Sequence, residues 1–245
     1  MTATPPTPAT LPISETFTSI QGEGKLAGVP SHFIRVSGCN LRCAWCDTPY
    51  ASWNPDGGPR AVTDLIAGAK ASGVRHVVLT GGEPMLFAPI EPLAAGLRDA
   101  GLHVTIETAG TVHRTIACDL MSISPKLANS TPAAGDPRDP HGTWRRQHEE
   151  RRINVDALQA LLDDHPERQL KFVVRADALT PDLAEIDALL ARLRGWSPGD
   201  VLLMPEGVSP PTSRARQEVA AACVARGWRF CPRLHIEIYG NVRGT

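Results

Sequence analysis

Three cysteines stand close together in the stretch Cys39-Asn-Leu-Arg-Cys43-Ala-Trp-Cys46. A loop curling around its ligand can offer all three thiolates to one inorganic centre. Complete iron–sulfur cubanes take four Cys, one per iron. Three leave one iron open to a small chelator, such as the amino and carboxylate groups of a methionine moiety. A reduced cluster beside the sulfonium of such a ligand can split a carbon–sulfur bond. A structural zinc ion asks for a fourth Cys or His, usually in paired spacing. His32 and His235 are the candidates, and neither stands at a standard interval. Cys118, Cys223 and Cys231 are scattered among apolar neighbours and read as small core residues. A secreted disulfide framework would be a shorter, Cys-denser chain.

Two further stretches carry chemistry. Thr80-Gly81-Gly82-Glu83-Pro84 follows an apolar run; two glycines at a strand end let the backbone approach a ligand closely, and Glu83 can fix the turn. Glu15-Thr-Phe17-Thr-Ser-Ile20-Gln21-Gly22-Glu23-Gly24 sets an amide and a carboxylate on a Gly-flanked loop. Those groups can read donors and acceptors on the edge of a heterocycle.

The elements that must position these residues follow from short apolar runs ended by Gly, Pro or polar residues. They predict strands at 32–36, 76–80, 104–108, 121–124, 170–174 and 201–204. Ala/Leu spacing predicts helices with one apolar face at 62–71, 90–100, 154–164, 181–193 and 213–226. Strands alternating with helices imply right-handed βαβ units and a parallel sheet. Six strands are too few for the eight-stranded barrel, so the expected fold is α/β, a partial barrel or curved open sheet. The stretch 110–119 leaves little room for a crossover helix. Residues 127–152, rich in Pro, Gly, Asp and Arg without periodicity, read as an irregular insertion of the kind that serves as a lid. Residues 38–48, 81–84, 108–110, 125–126 and 205–207 each follow a predicted strand and would meet at the carboxyl ends, where barrel sites lie.

At 245 residues the chain fits a single domain, here 13–245. A net charge of -1 gives no electrostatic support for nucleic-acid or membrane-surface binding. No apolar run approaches the roughly 20 residues that span a bilayer. The Pro- and Thr-rich stretch 1–12 lacks a basic start and an apolar region, so it is expected to be a disordered leader rather than a signal peptide. A cytoplasmic location is the expectation.

Cys39, Cys43, Trp45 and Cys46, with Thr80-Gly81-Gly82-Glu83-Pro84, resemble the signature of the radical S-adenosylmethionine (SAM) superfamily. Within it the chain is similar to the 7-carboxy-7-deazaguanine synthases. That likeness rests on Glu15 to Gly24, Phe33-Ile-Arg35, Cys46-Asp47-Thr48, Glu107-Thr108-Ala-Gly110, Ser122-Ile-Ser124-Pro125-Lys126 and the ending Leu234-His235 to Tyr239-Gly240-Asn241-Val-Arg243-Gly244. It implies a modified radical SAM core, a partial (βα)6-type TIM barrel. It also implies conversion of 6-carboxy-5,6,7,8-tetrahydropterin to 7-carboxy-7-deazaguanine with loss of ammonia, a lyase step toward 7-deazapurines such as queuosine. The implied course is hydrogen abstraction by a 5′-deoxyadenosyl radical, ring contraction and return of the hydrogen, with SAM used catalytically.

Carried over to this chain, the resemblance implies a 4Fe-4S cluster on Cys39, Cys43 and Cys46 and Mg2+ on Thr48. SAM would lie against Trp45, Cys46, Asp47, Gly82, Glu83, Ser124, Pro125 and Lys126. Met204-Pro205-Glu206-Gly207 stands where several relatives carry Gln-Pro, which leaves the adenosine contact there to backbone or to Glu206. The substrate would meet Ile20, Gln21, Gly22, Arg35, Thr80 and Thr245, with Arg35 on its carboxylate. No side chain is expected to act as a catalytic acid or base, because the radical does the chemistry. A flavodoxin or ferredoxin reductant and a homodimer are implied too. Two other functions use similar loops: a glycyl-radical-enzyme activase, which would not need Arg35 or the Gln21 loop, and an electron-transfer protein, which would complete the fourth ligand.

Overall fold

The computed structural model describes residues 9–245. Its centre is a nine-stranded sheet. The strands are β1 (Thr10–Ile20), β2 (Pro30–Val36), β3 (Gly58–Ala61), β4 (His76–Gly81), β5 (His103–Thr108), β6 (Leu120–Ile123), β7 (Arg168–Val174), β8 (Val201–Pro205) and β9 (Arg229–Phe230). Their order is β3-β1-β2-β4-β5-β6-β7-β8-β9. The six strands expected from the apolar runs are β2 and β4 to β8. They pair in parallel, each beside its successor. The arrangement is a partial barrel, as expected, extended by an antiparallel pair at one edge and the short β9 at the other.

Among the described residues seven helices accompany the sheet: α1 (Val62–Ala71), α2 (Ile90–Asp99), α3 (Thr143–Arg151), α4 (Val155–Asp164), α5 (Leu179–Leu190), α6 (Ser213–Arg226) and α7 (Leu234–Tyr239). Leu79, Ile106, Met121, Leu161, Phe172 and Ile186 are completely buried between sheet and helices. Each such side chain contributes about 1.5–3 kcal/mol on leaving water. Between β5 and β6 there is no helix. His165, at the end of α4, pins that connection instead, its ring bonded to the carbonyls of Ile116 (2.9 Å) and Leu161 (3.0 Å). Among the described residues no helix is long and apolar enough to cross a membrane.

Three expectations change. Residues 10–12, assigned to a disordered leader, open β1, and Leu11 is wholly buried; residues 1–8 lie outside the described part. Pro12, which has no N–H to donate, stands beside the register shift between Ile13 and Glu15, and its carbonyl accepts the Ser37 N–H at 2.8 Å. The segment 127–152 is not irregular throughout: it contains α3 and a 3-10 turn at Ala128–Ser130. Its position against the cysteine loop, given below, makes it a support rather than a free lid.

Candidate active site

The carboxyl ends of the parallel strands open into one cavity of about 440 Å3. Cys39, Cys43 and Cys46 line one side of it, and Gln21, Arg35 and Thr80 line the other. Thus segments more than 200 residues apart meet where the parallel-barrel rule places a site.

The cysteine loop is held by backbone. Gly38 N–H donates to the Ala51 carbonyl (2.9 Å) and Glu83 N–H to the Gly38 carbonyl (2.9 Å). Gly82 must be glycine for this: a Cβ would collide with the carbonyl oxygens of Gly38 and Ala51. From residues 127–152, Ser130 accepts the Ala44 N–H at 2.7 Å, and the Asn129 carbonyl accepts the Trp45 indole N–H at 3.0 Å. Burial pushes the Cys39 thiol up to about 12, reinforced by the charge of Glu83, and raises Cys43 further. Without metal these thiols keep their protons, so loading a cluster releases them. All six cysteines are free of disulfides.

Glu83 is fully buried and accepts three bonds: from Met85 N–H (3.0 Å), Thr108 Oγ1 (2.8 Å) and Ala109 N–H (2.8 Å). It ties the end of β4 to the end of β5 and does not line the cavity. Glu83, expected against SAM, thus joins two strand ends from outside the lining. Pro125, Pro205, Glu206 and Gly207 also fall outside the lining, whereas Trp45, Asp47, Gly82, Ser124, Lys126 and Met204 are in it. Lys126 donates to Ser124, to its carbonyl at 2.6 Å and its hydroxyl at 2.9 Å. Thr48 precedes the turn Pro49–Ala51 but makes no side-chain capping bond, and it lines the cavity.

On the opposite side, Glu107 receives Gln21 Nε2 (3.1 Å) on one oxygen and Thr80 Oγ1 (2.8 Å) on the other. Arg35 donates from Nε to Glu15 at 2.7 Å. Its terminal nitrogens make no hydrogen bond within the described residues, and the residue lines the cavity. Phe17 and Phe33 stack at 4.8 Å and form an apolar wall. Below them lies a chain of charges: Lys171 bonds Glu23, Glu23 bonds Arg233 at 3.1 Å, and Arg233 bonds Asp47. Burial alone would raise the Glu23 pKa, but Lys171 and Arg233 outweigh it and hold the carboxyl far below its ordinary range. His235 also lines the cavity. Its ring lies so close to Gly22 that a Cβ there would collide with it. Burial keeps this imidazole below its ordinary pKa against the opposing pull of Glu23.

The chain's end closes the wall. Arg243 stacks over Tyr50 at 4.1 Å and reaches Asp56 (2.8 Å), Glu15 (3.1 Å) and the Ser14 carbonyl (3.1 Å). Gly244 and Thr245 then border the cavity. Every residue expected to meet the substrate, Ile20, Gln21, Gly22, Arg35, Thr80 and Thr245, is in the lining. Glu107, Lys171 and Arg233 were not singled out as site residues by sequence reasoning. Lys171 had a signal, since a lysine inside the apolar run of β7 needs a buried partner.

Residues 33–165 match the profile of the Radical SAM superfamily. The 7-carboxy-7-deazaguanine synthase of Rhodopirellula baltica is 47% identical over 238 residues, 97% of this chain and 90% of that one. This chain belongs to the 7-carboxy-7-deazaguanine synthase family. The synthase of Halobacterium salinarum is 46% identical over 96% of this chain and 93% of its own length. A crystal structure of QueE from Escherichia coli, 28% identical, matches with a TM-score of 0.69 over 92% of this chain and 95% of that one.

Radical SAM enzymes, this family among them, carry a 4Fe-4S cluster and SAM. The chain's own residues fit both groups. Three free thiols share the cavity with a backbone turn that only glycine can make. No three His, Cys, Asp or Glu side chains among the described residues are placed for a single metal ion, and in a cubane each thiolate binds a different iron. Beside them the buried Arg42 has no carboxylate partner among the described residues, and its side chain donates to the Cys39 and Leu41 carbonyls.

Proposed function

We propose that this chain converts 6-carboxy-5,6,7,8-tetrahydropterin to 7-carboxy-7-deazaguanine with loss of ammonia, using SAM catalytically. The observation that carries this reading is the pairing, in one cavity, of the three-cysteine loop with the Gln21–Glu107–Thr80 cluster and Arg35. An activase of protein substrates has no use for that second set, and an electron carrier has no use for the cavity.

Cys39, Cys43 and Cys46 hold the cluster, and Trp45, Asp47, Gly82, Ser124, Lys126 and Met204 border SAM. Cluster and SAM together supply the 5′-deoxyadenosyl radical. The free end of the Arg35 guanidinium receives the substrate carboxylate, with Glu15 fixing its Nε. Gln21 and Thr80, aligned by Glu107, meet the polar edge of the pterin, and Phe17 and Phe33 cover an apolar face. The tail through Thr245 and the ring of His235 border the same space. Thr48, in the lining, would supply a protein oxygen to Mg2+, a cation that favours oxygen ligands. A flavodoxin- or ferredoxin-like reductant supplies the electron, and the chain works as a homodimer.

The test is anaerobic reconstitution with iron and sulfide, reduction, and incubation with SAM, Mg2+ and the tetrahydropterin. Mass spectrometry is expected to find 7-carboxy-7-deazaguanine. Release of 5′-deoxyadenosine with no such product, from fully loaded protein, would overturn the substrate assignment.

A further inference from the structure

Arg42 lies between two of the three cysteines and is only 7% exposed. Its Nη1 donates to the carbonyls of Cys39 (2.7 Å) and Leu41 (2.8 Å), both neutral acceptors. Its Nε is buried without any partner. Among the described residues, none of the carboxylates that pair with other arginines pairs with this one. Leaving a buried cation uncompensated costs several kcal/mol, so a second charge is expected at this spot.

The cation is also held in place from outside its own loop. Its guanidinium lies over the Trp144 ring at 3.8 Å. The Arg42 N–H donates to His148 Nδ1 at 3.1 Å, and the other ring nitrogen of His148 pairs with Ser130 Oγ at 2.9 Å. Both Trp144 and His148 belong to α3, and His148 is completely buried. The segment 127–152 thus fixes a charge as well as a loop. Other cations near the loop are placed differently: Arg138 is paired with Asp136 at 2.8 Å, Arg151 is exposed and reaches only the Asn40 carbonyl at 3.4 Å, and Lys126, half-buried at the cavity edge, donates to Ser124.

We propose that Arg42, pinned by Trp144 and His148, is a buried counter-cation of the cluster, raising its reduction potential and slowing its loss. The inference rests on the assignment of Cys39, Cys43 and Cys46 as cluster ligands. A cubane on three thiolates is net negative and gains a further negative charge with the electron. A fixed cation favours both states over the cluster-free one, and the reduced state most; net charge and nearby hydrogen bonding are recognised determinants of cluster potential.

The experiment compares Arg42→Gln and Arg42→Lys with the parent. It reads the cluster potential by electron paramagnetic resonance titration, cluster loss to a chelator by visible absorbance, and melting of the cluster-free proteins. Arg42→Gln is expected to shift the potential to more negative values and speed cluster loss about tenfold, equivalent to about 1.4 kcal/mol. Arg42→Lys is expected to recover most of both. Cluster-free Arg42→Gln is expected to melt no lower than the parent, since the unpaired charge is gone; a purely structural arginine would lower it. An unchanged potential in loaded Arg42→Gln overturns the proposal. If that variant loads no cluster, Trp144→Ala replaces it, keeping the charge but not its anchor. Parent-like potential and retention there would also overturn it. Product formation is scored separately, so a potential shift in a protein that makes no deazaguanine would fault the substrate reading alone.

Discussion

The cysteine side of the cavity comes from one stretch of chain, residues 38–52, with α3 behind it. The opposite side draws Gln21, Arg35, Glu107, Lys171, His235 and Thr245 from the whole length of the molecule. The first is ordered mainly by short backbone bonds, such as Gly38 to Ala51 and Ala44 to Ser130. The second is ordered by charge: Glu15 with Arg35 and Arg243, Glu107 with its two polar neighbours, and Glu23 with Lys171 and Arg233. A cluster is bound by a fixed set of thiolates, so a contiguous loop suffices. A polar heterocycle must be read on several edges, and those groups are brought together only by folding the entire sheet.

Mutations should separate the two sides. Cys43→Ala has the largest effect: it is expected to abolish the cluster's visible absorbance and all product, while far-ultraviolet circular dichroism stays unchanged. Full activity in that variant would break the assignment of the cysteine side. Glu23→Gln comes next. It strands Lys171, which is buried and whose pKa Glu23 raises against the effect of burial. Breaking such a pair costs about 3–5 kcal/mol, measurable by denaturant titration. The parent should also show a pH signature. The Glu23 pKa is depressed in the fold from about 4.5. Its stabilisation is therefore complete above that value and drains away as pH falls below it. Glu23→Gln should lack this part of the acid slope, whereas a slope equal to the parent's would mean Glu23 is not the group involved. The smallest effect belongs to Arg243→Ala. Its side chain is 44% exposed and its ion pairs are screened. Freeing the tail should raise KM by about two- to fivefold with kcat nearly unchanged, and a loss confined to kcat would exclude tail positioning.

The same contrast explains what was legible in the sequence. The six parallel strands appear as apolar runs because both their faces are buried, and α1 matches its predicted bounds. β1 was hidden: TLPISETFTSI has one covered face and a polar edge, and a register shift between Ile13 and Glu15 breaks its alternation. α3 has almost no apolar residues, since its role is to hold Trp144 and His148 against the cysteine loop rather than to fill the core. The cysteines and Gly82 were readable because their spacing is set by local chemistry. Glu107 and Arg233 were not, because each owes its role to partners far away in the chain; Arg233 and Glu23 are separated by 210 positions.

The most direct test of a locally built radical source facing a globally assembled substrate wall is the partition of SAM turnover in Arg35→Ala. The ratio of 7-carboxy-7-deazaguanine formed to 5′-deoxyadenosine released would be measured in parent and variant, both fully loaded with cluster. A high ratio is expected in the parent. In the variant the ratio should fall at least about tenfold, as expected for loss of a charge-assisted hydrogen bond, while 5′-deoxyadenosine release persists. An unchanged ratio would contradict the role of Arg35, and loss of SAM cleavage together with product would show that the two sides of the cavity are not separable.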